Sequence, residues 1–165
     1  MTSVTDRLEK KTLLKAPQER VWGAISDAKR FGAWFGVSFE GDFAPGARMI
    51  GTIVPTTVDP DVAKSMEKHA GMTFEIQIDR IEPMNHFSYR WHPFAIHRDV
   101  DYSAEPTTLV VFELEEVTGG TMLTITESGF DGIPLARRAD AFEANDEGWT
   151  LQSKLLEKYV SKTSP

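Results

Sequence analysis

Apolar and polar residues alternate along several segments of the chain, which is the period-two pattern of a half-buried β-strand. Residues 7–14 read RLEKKTLL, with Leu8, Thr12 and Leu14 on one face, and indicate a first strand. Patterning and turn signals predict further strands at 37–39, 47–54, 73–81, 86–92, 109–117 and 121–128. Turn-forming pairs such as Gly119-Gly120 separate these segments, so neighbouring strands are expected to pair as antiparallel hairpins.

Elsewhere the apolar residues follow a helical period. Pro17 suits the first turn of a helix over residues 17–26, and Asp27 is placed to cap a second short helix over 28–35. From about 135 to 161 the apolar positions recur three, four and seven residues apart, which predicts one long helix with a wide apolar face.

The order of these elements lacks the crossover helices that a parallel sheet needs. We therefore predict an α+β fold in which a curved antiparallel sheet grips the long C-terminal helix, with two short helices after the first strand. Residues 1–165 are expected to form a single domain of this kind. A glycine inside a helix lowers the stability of the helix by about 1 kcal/mol relative to alanine. The presence of Gly148 in the predicted helix therefore indicates a close approach or a bend at that point.

Composition and charge restrict the partners. The 18 Lys and Arg residues against 25 Asp and Glu give a formal net charge of -7, so neither nucleic acid nor a membrane is an expected partner. The sequence has no cysteine, which excludes disulfides and thiolate chemistry and fits a reducing compartment. No apolar run approaches the roughly 20 residues of a membrane span, and no signal peptide opens the chain. We expect a soluble, cytoplasmic protein.

The large side chains on the predicted inner faces are unusually aromatic. If the helix roofs the sheet without filling the space below, these residues line a cavity for a small apolar or aromatic molecule. If they pack tightly, they form an ordinary core, and the sequence leaves both readings open. The candidate ligand-binding residues are Trp34, Phe35, Phe74, Ile76, Phe87, Tyr89, Trp91, Phe112, Glu127 and Trp149.

Glu127 continues the face of Leu123 and Ile125 on the last predicted strand, so its carboxyl group is expected to point inward. An inward carboxylate without a partner has the environment of a general acid or base, and Tyr89 could be the second polar group of such a site. Alternatively, an arginine such as Arg48 or Arg90 pairs with the carboxylate. The residues favour a binding protein over a catalyst.

One polar segment suggests a metal site, because imidazole and carboxylate groups together suit zinc or iron. In HPFAIHRDVD these groups are His92, His97, Asp99 and Asp101. Their spacing matches no established ligand pattern, so we favour a solvated acidic loop and expect no metal or other cofactor. His86 and His92 are expected to be exposed. Ser128 has neither a histidine placed to activate it nor a G-x-S-x-G elbow, so nucleophilic catalysis is not expected.

The order of the motifs resembles the START-like (Bet v1-like) helix-grip superfamily, and within it the branch related to the C-terminal domain of the Hsp90 ATPase activator. The resemblance extends from about Arg7 to Tyr159. The segments that carry it are APQERVW, Trp34-Phe35, FEIQIDRIEP, FSYRW, TTLVVFELEEVTGGTMLTITESGF and Gly148-Trp149. It implies a deep, mostly hydrophobic cavity between the sheet and the C-terminal helix, which various members use for lipids, hormones, polyketides or aromatic compounds.

Three functions therefore remain from the sequence. The leading hypothesis is binding of a small hydrophobic or aromatic ligand in the internal cavity, and the second is a cyclase- or hydrolase-like enzyme in the same cavity. The third is an interaction module of the Hsp90-activator type or a homodimer, which predicts an exposed apolar patch around Trp34-Phe35. Because the co-chaperone members use a separate N-terminal domain and this sequence starts close to its first strand, a chaperone partner is not expected.

Overall fold

The computed structural model describes residues 6–93 and 102–162, and its elements follow the predicted order. Two 3-10 turns, at Glu67–His69 and Phe130–Gly132, accompany the main elements. The strands and α-helices of the described chain are β1 (Arg7–Leu14), α1 (Gln18–Ser26), α2 (Ala28–Phe35), β2 (Val37–Phe39), β3 (Arg48–Ile53), α3 (Pro60–Met66), β4 (Thr73–Glu82), β5 (His86–Trp91), β6 (Thr108–Val117), β7 (Gly120–Ser128) and α4 (Leu135–Lys162).

All neighbouring strands are antiparallel, and the sheet has the order β1-β7-β6-β5-β4-β3-β2. The register aligns one residue from each of five strands in a row across its inner face. That row is Ile78, Tyr89, Val110, Glu127 and Leu8, and all five side chains are buried. Glu127 therefore points into the interior because its register neighbours are core residues, as the sequence predicted.

The short helix α2 has defined ends. The carboxylate of Asp27 accepts hydrogen bonds from the backbone N–H groups of Lys29 and Arg30, which caps the helix as predicted. At its other end Gly36 adopts a left-handed conformation that turns the chain into β2. Gly32 packs so closely on β2 that an added Cβ would lie 2.1 Å from the carbonyl oxygen of Val37.

The interior is filled by aromatic rings, and α2 supplies those at its centre. Phe31 is fully buried, and its ring contacts those of Trp34, Phe35, Phe39, Phe43, Phe87, Tyr89 and Phe112. These rings occupy the space in which the resemblance to the helix-grip superfamily implies a deep cavity. Of the two readings left open by the sequence, a tightly packed core therefore describes most of this interior.

Helix α4 packs against β1, α1 and α2. On the wide apolar face predicted for this helix, the side chains of Trp149, Leu156 and Val160 are buried, whereas Leu151 is 41% exposed. A Cβ added at Gly148 would meet no atom of the described chain within 4 Å. Among the described residues nothing approaches Gly148 closely, so that part of the expectation is wrong, while a bend in the helix stays a prediction. Within the described ranges, no helix combines the length and apolarity needed to cross a bilayer.

The two helix glycines should respond in opposite ways to the same substitution. Gly148→Ala should raise the free energy of unfolding by about 0.5–1 kcal/mol, because alanine favours the helix and its methyl group meets no obstacle. Gly32→Ala should lower it by roughly 1–3 kcal/mol, because the methyl group collides with backbone. Urea denaturation of both variants measures this, and equal effects would contradict the packing described.

Candidate functional site

The carboxylate of Glu127 lies at the contact between the sheet and α4, with no exposed surface. Its Oε2 atom accepts hydrogen bonds from the sheet, at 2.8 Å from the Trp91 indole Nε1 and 2.6 Å from the Thr108 hydroxyl. Its Oε1 atom accepts from Trp149 Nε1 at 2.8 Å, and Asn145 Nδ2 donates to both oxygens, at 2.9 and 3.0 Å. Four donors from two layers of the fold therefore meet on one buried acceptor.

No cation of the described chain forms an ion pair with Glu127. Arg48 instead pairs with Glu75 at 3.3 Å on the outer surface, and Arg90 is exposed on the opposite face of β5. The arginine pairing considered from the sequence is therefore wrong. Neutral donors replace it, and the indole N–H groups and the amide NH2 group among them can only donate, which suits an acceptor-only carboxylate.

Tyr89 is the neighbour of Glu127 that carries an unsatisfied group. The Tyr89 hydroxyl is fully buried and has no hydrogen-bond partner in the part of the chain that the structure describes. Burial raises the pKa of this hydroxyl well above its usual range, and the nearby charge of Glu127 adds to the effect. The phenol is therefore held in its neutral form.

A small recess opens on the α4 side of the aromatic core, beside the carboxylate. Its volume is about 100 Å³, roughly that of three water molecules at ~30 Å³ each. The residues that line it are Phe35, Trp91, Asn145, Gly148, Trp149 and Gln152. Three of these residues also donate hydrogen bonds to Glu127: Trp91, Asn145 and Trp149. The carboxylate therefore lies directly behind the wall of the recess.

Three of the predicted ligand-binding residues, Phe35, Trp91 and Trp149, line this recess. Phe74 is half-buried and packs its ring against that of Trp91. Glu127 lies behind the wall. The remaining predicted residues are buried in the core and do not line the recess: Trp34, Ile76, Phe87, Tyr89 and Phe112. Because Trp34 has no exposed surface, the exposed apolar patch predicted around Trp34-Phe35 is not present.

The sequence interpretation missed Asn145 and Gln152 and treated Gly148 only as a structural feature. Together with Trp149 these residues are spaced i, i+3, i+4 and i+7, which places them on one face of α4. Small and polar residues on the apolar face of a buried helix were the available signal. Thr108 gave no such signal, because only the strand register brings it opposite Trp91 and beside Glu127.

A larger groove of about 560 Å³ lies elsewhere on the surface, at the ends of β1 and β6. Residues 15–19, Met84 and the 116–120 hairpin line it, and none of the predicted site residues does. Its walls include the exposed residues Lys15, Glu19 and Glu116 and hold no buried titratable group. We regard the recess as the better candidate because aromatic lining with a few placed polar groups is typical of ligand sites.

The metal hypothesis finds no support in the described ranges, where no cluster of three or more His, Asp or Glu residues could hold a metal. His92 is half-buried, with Nε2 3.0 Å from the carbonyl oxygen of Glu105, while His97, Asp99 and Asp101 lie outside the described residues. His86 is also half-buried, with Nε2 3.0 Å from the Ser88 hydroxyl oxygen. The expectation that these two histidines are exposed is therefore wrong.

The antiparallel sheet, the inserted aromatic helix and the long C-terminal helix define a protein of the helix-grip fold. The sequence model of the family described as "Activator of Hsp90 ATPase homolog 1-like protein" matches residues 15–161. The chain therefore belongs to that family. A comparison with curated protein sequences finds no significant match.

Solved structures share this fold at low sequence identity. The crystal structure of protein MLL2253 from Mesorhizobium loti is 21% identical, with a TM-score of 0.69 over 96% of this chain and 99% of that one. Protein NE0264 from Nitrosomonas europaea is 17% identical, with a TM-score of 0.70 over 98% and 97% of the two chains. A protein from Arthrobacter aurescens is 17% identical, with a TM-score of 0.71 over 99% and 91%.

Replacing Glu127 should destabilise the protein although the change is small. Glu127→Gln keeps the size of the side chain but turns an NH2 group toward surrounding donors, leaving buried N–H groups without an acceptor. The free energy of unfolding should fall by roughly 1–3 kcal/mol. Chemical denaturation measures this, with Glu113→Gln, an exposed glutamate on β6, as the matched control. Similar stabilities for both variants would contradict the described network.

Tyr89 should make the stability depend on alkaline pH. Since its pKa is raised in the folded state, the folded protein keeps a proton that the unfolded chain loses above about pH 10, so stability falls as the pH rises beyond that value. Ultraviolet titration should show one of the three tyrosines ionising only when the protein unfolds. Tyr89→Phe should abolish that step and flatten the alkaline loss of stability. Ionisation of all three tyrosines in the folded protein would contradict this.

Proposed function

We propose that the protein binds a small apolar or aromatic molecule in the recess beside α4. The observation that carries the proposal is an aromatic opening, formed by Phe35, Trp91 and Trp149, in front of a buried carboxylate. This combination of apolar walls and a few fixed polar groups is the usual composition of a small-molecule site.

Two further features support the recess as a ligand site. The Oε1 atom of Gln152 is buried without a hydrogen-bond partner in the described chain, while its Nε2 donates to the Phe35 carbonyl at 3.2 Å. A ligand hydroxyl or N–H group that reached this oxygen would satisfy it. Gly148 keeps the recess open, because any side chain there would project into space that no atom of the described chain occupies.

The size of the recess sets the size of the ligand group that enters it. Typical sites for drug-sized ligands enclose roughly 300–1,000 Å³, several times the about 100 Å³ available here. The recess therefore takes one end of a molecule, or a molecule of a few heavy atoms. Phe35 and Trp91 are half-buried, so these are the walls that would move for a larger guest.

Tryptophan indole N–H resonances provide a direct test. Benzyl alcohol, 2-phenylethanol and cyclohexanol, titrated into ¹⁵N-labelled protein, should shift the indole signals of Trp91 and Trp149. The indole signal of Trp22, which lies on α1 and does not line the recess, should stay in place. Gly148→Leu should abolish the shifts without loss of stability, because leucine fills the recess from the helix.

The matched control for that variant is Thr150→Leu, which adds a leucine at an exposed position two residues further along α4. It should bind the alcohols like the native protein. The proposal fails if none of the three alcohols shifts Trp91 or Trp149, or if Gly148→Leu binds as well as Thr150→Leu.

A further inference from the structure

We infer that the recess selects a methylated ammonium group, so that the ligand is a small organic cation carrying a hydroxyl or N–H donor. This inference rests on the proposed function, because it specifies the chemistry of a guest in the same recess. It follows from the arrangement of three rings, one charge and one unpaired acceptor.

The three aromatic rings of the recess form a nearly equilateral triangle. Their centroids are 6.2 Å apart for Phe35 and Trp91, 6.1 Å for Phe35 and Trp149, and 5.9 Å for Trp91 and Trp149. A cation over the centre of such a triangle can lie within about 6 Å of all three ring centroids, and tryptophan is the side chain that attracts cations best. Aromatic cages of this kind recognise quaternary ammonium groups.

The charge behind the cage has the sign that a cation requires. Glu127 is fully buried, and no Lys or Arg of the described chain forms an ion pair with it. The two indole groups that line the recess also donate hydrogen bonds to this carboxylate. A cation in the cage would therefore be separated from the carboxylate of Glu127 by an indole ring. The surrounding interior screens that attraction less than water would.

The hydrogen bonds already present favour a methylated ammonium over a primary one. Four donors occupy the two oxygens of Glu127, which leaves little accepting capacity for N–H groups of a ligand. A fully methylated, quaternary ammonium has no N–H group, so it needs no acceptor and gains its binding energy from the rings and the charge. Gln152 Oε1 is buried and without a partner in the described chain, and it is the acceptor that we assign to one donor from the rest of the ligand.

The test compares two probes of the same shape, choline and its uncharged carbon analogue 3,3-dimethylbutan-1-ol. Choline should bind roughly tenfold more tightly, as cation–π attraction of a partly desolvated cation predicts. The indole resonances of Trp91 and Trp149 should report binding, with Trp22 as the internal reference. Gly148→Leu should lose choline binding, and Thr150→Leu should retain it.

The outcomes separate this inference from the proposed function. If the carbon analogue binds as tightly as choline, the selectivity for cations is refuted and the apolar site stands. If neither probe binds while benzyl alcohol does, the cage is refuted and the proposed function again stands. If none of these molecules moves the indole signals, both proposals are refuted.

Discussion

The structure depends on the way one carboxylate joins α4 to the sheet. Glu127 extends from β7, the strand next to the β1 edge of the antiparallel sheet, and its two oxygens accept hydrogen bonds from donors on β5, β6 and α4. A buried charge is tolerated only when its hydrogen-bonding capacity is satisfied. Helix α4 must therefore dock on the sheet in the one position that brings Asn145 and Trp149 next to Glu127. The same constraint fixes both indole rings, and these rings are the walls of the recess.

The helix-grip fold permits a large cavity, but the aromatic side chains of this chain occupy most of that space. Phe31 and Trp34 enter the interior from α2 and meet the rings on the inner face of the sheet. The close approach at Gly32 brings α2 near enough to do this. Family membership therefore describes the fold, whereas the space available to a ligand is decided by the particular rings that this sequence places inside it.

Gly148 connects the stability of α4 with the candidate site. A glycine within a helix costs about 0.5–1 kcal/mol relative to alanine, and no contact among the described residues requires it. Its absent side chain keeps the recess open between Asn145 and Gln152. Glycine is unfavourable inside a helix, and this exception lies at the candidate site. Departures of this kind from local preference are common at functional sites.

The sequence by itself determined the strands, the main helices and the inner faces of β1, β4, β5, β6 and β7, because alternation and helical spacing are local properties. It predicted the bounds of β1, α2 and α4 within a residue, the capping role of Asp27 and the inward direction of Glu127. Only the tertiary structure decided which groups surround that carboxylate. Thr108 and Asn145 are distant from it in sequence and meet it through strand register and helix docking, and the volume left beside them depends on how many rings pack at once.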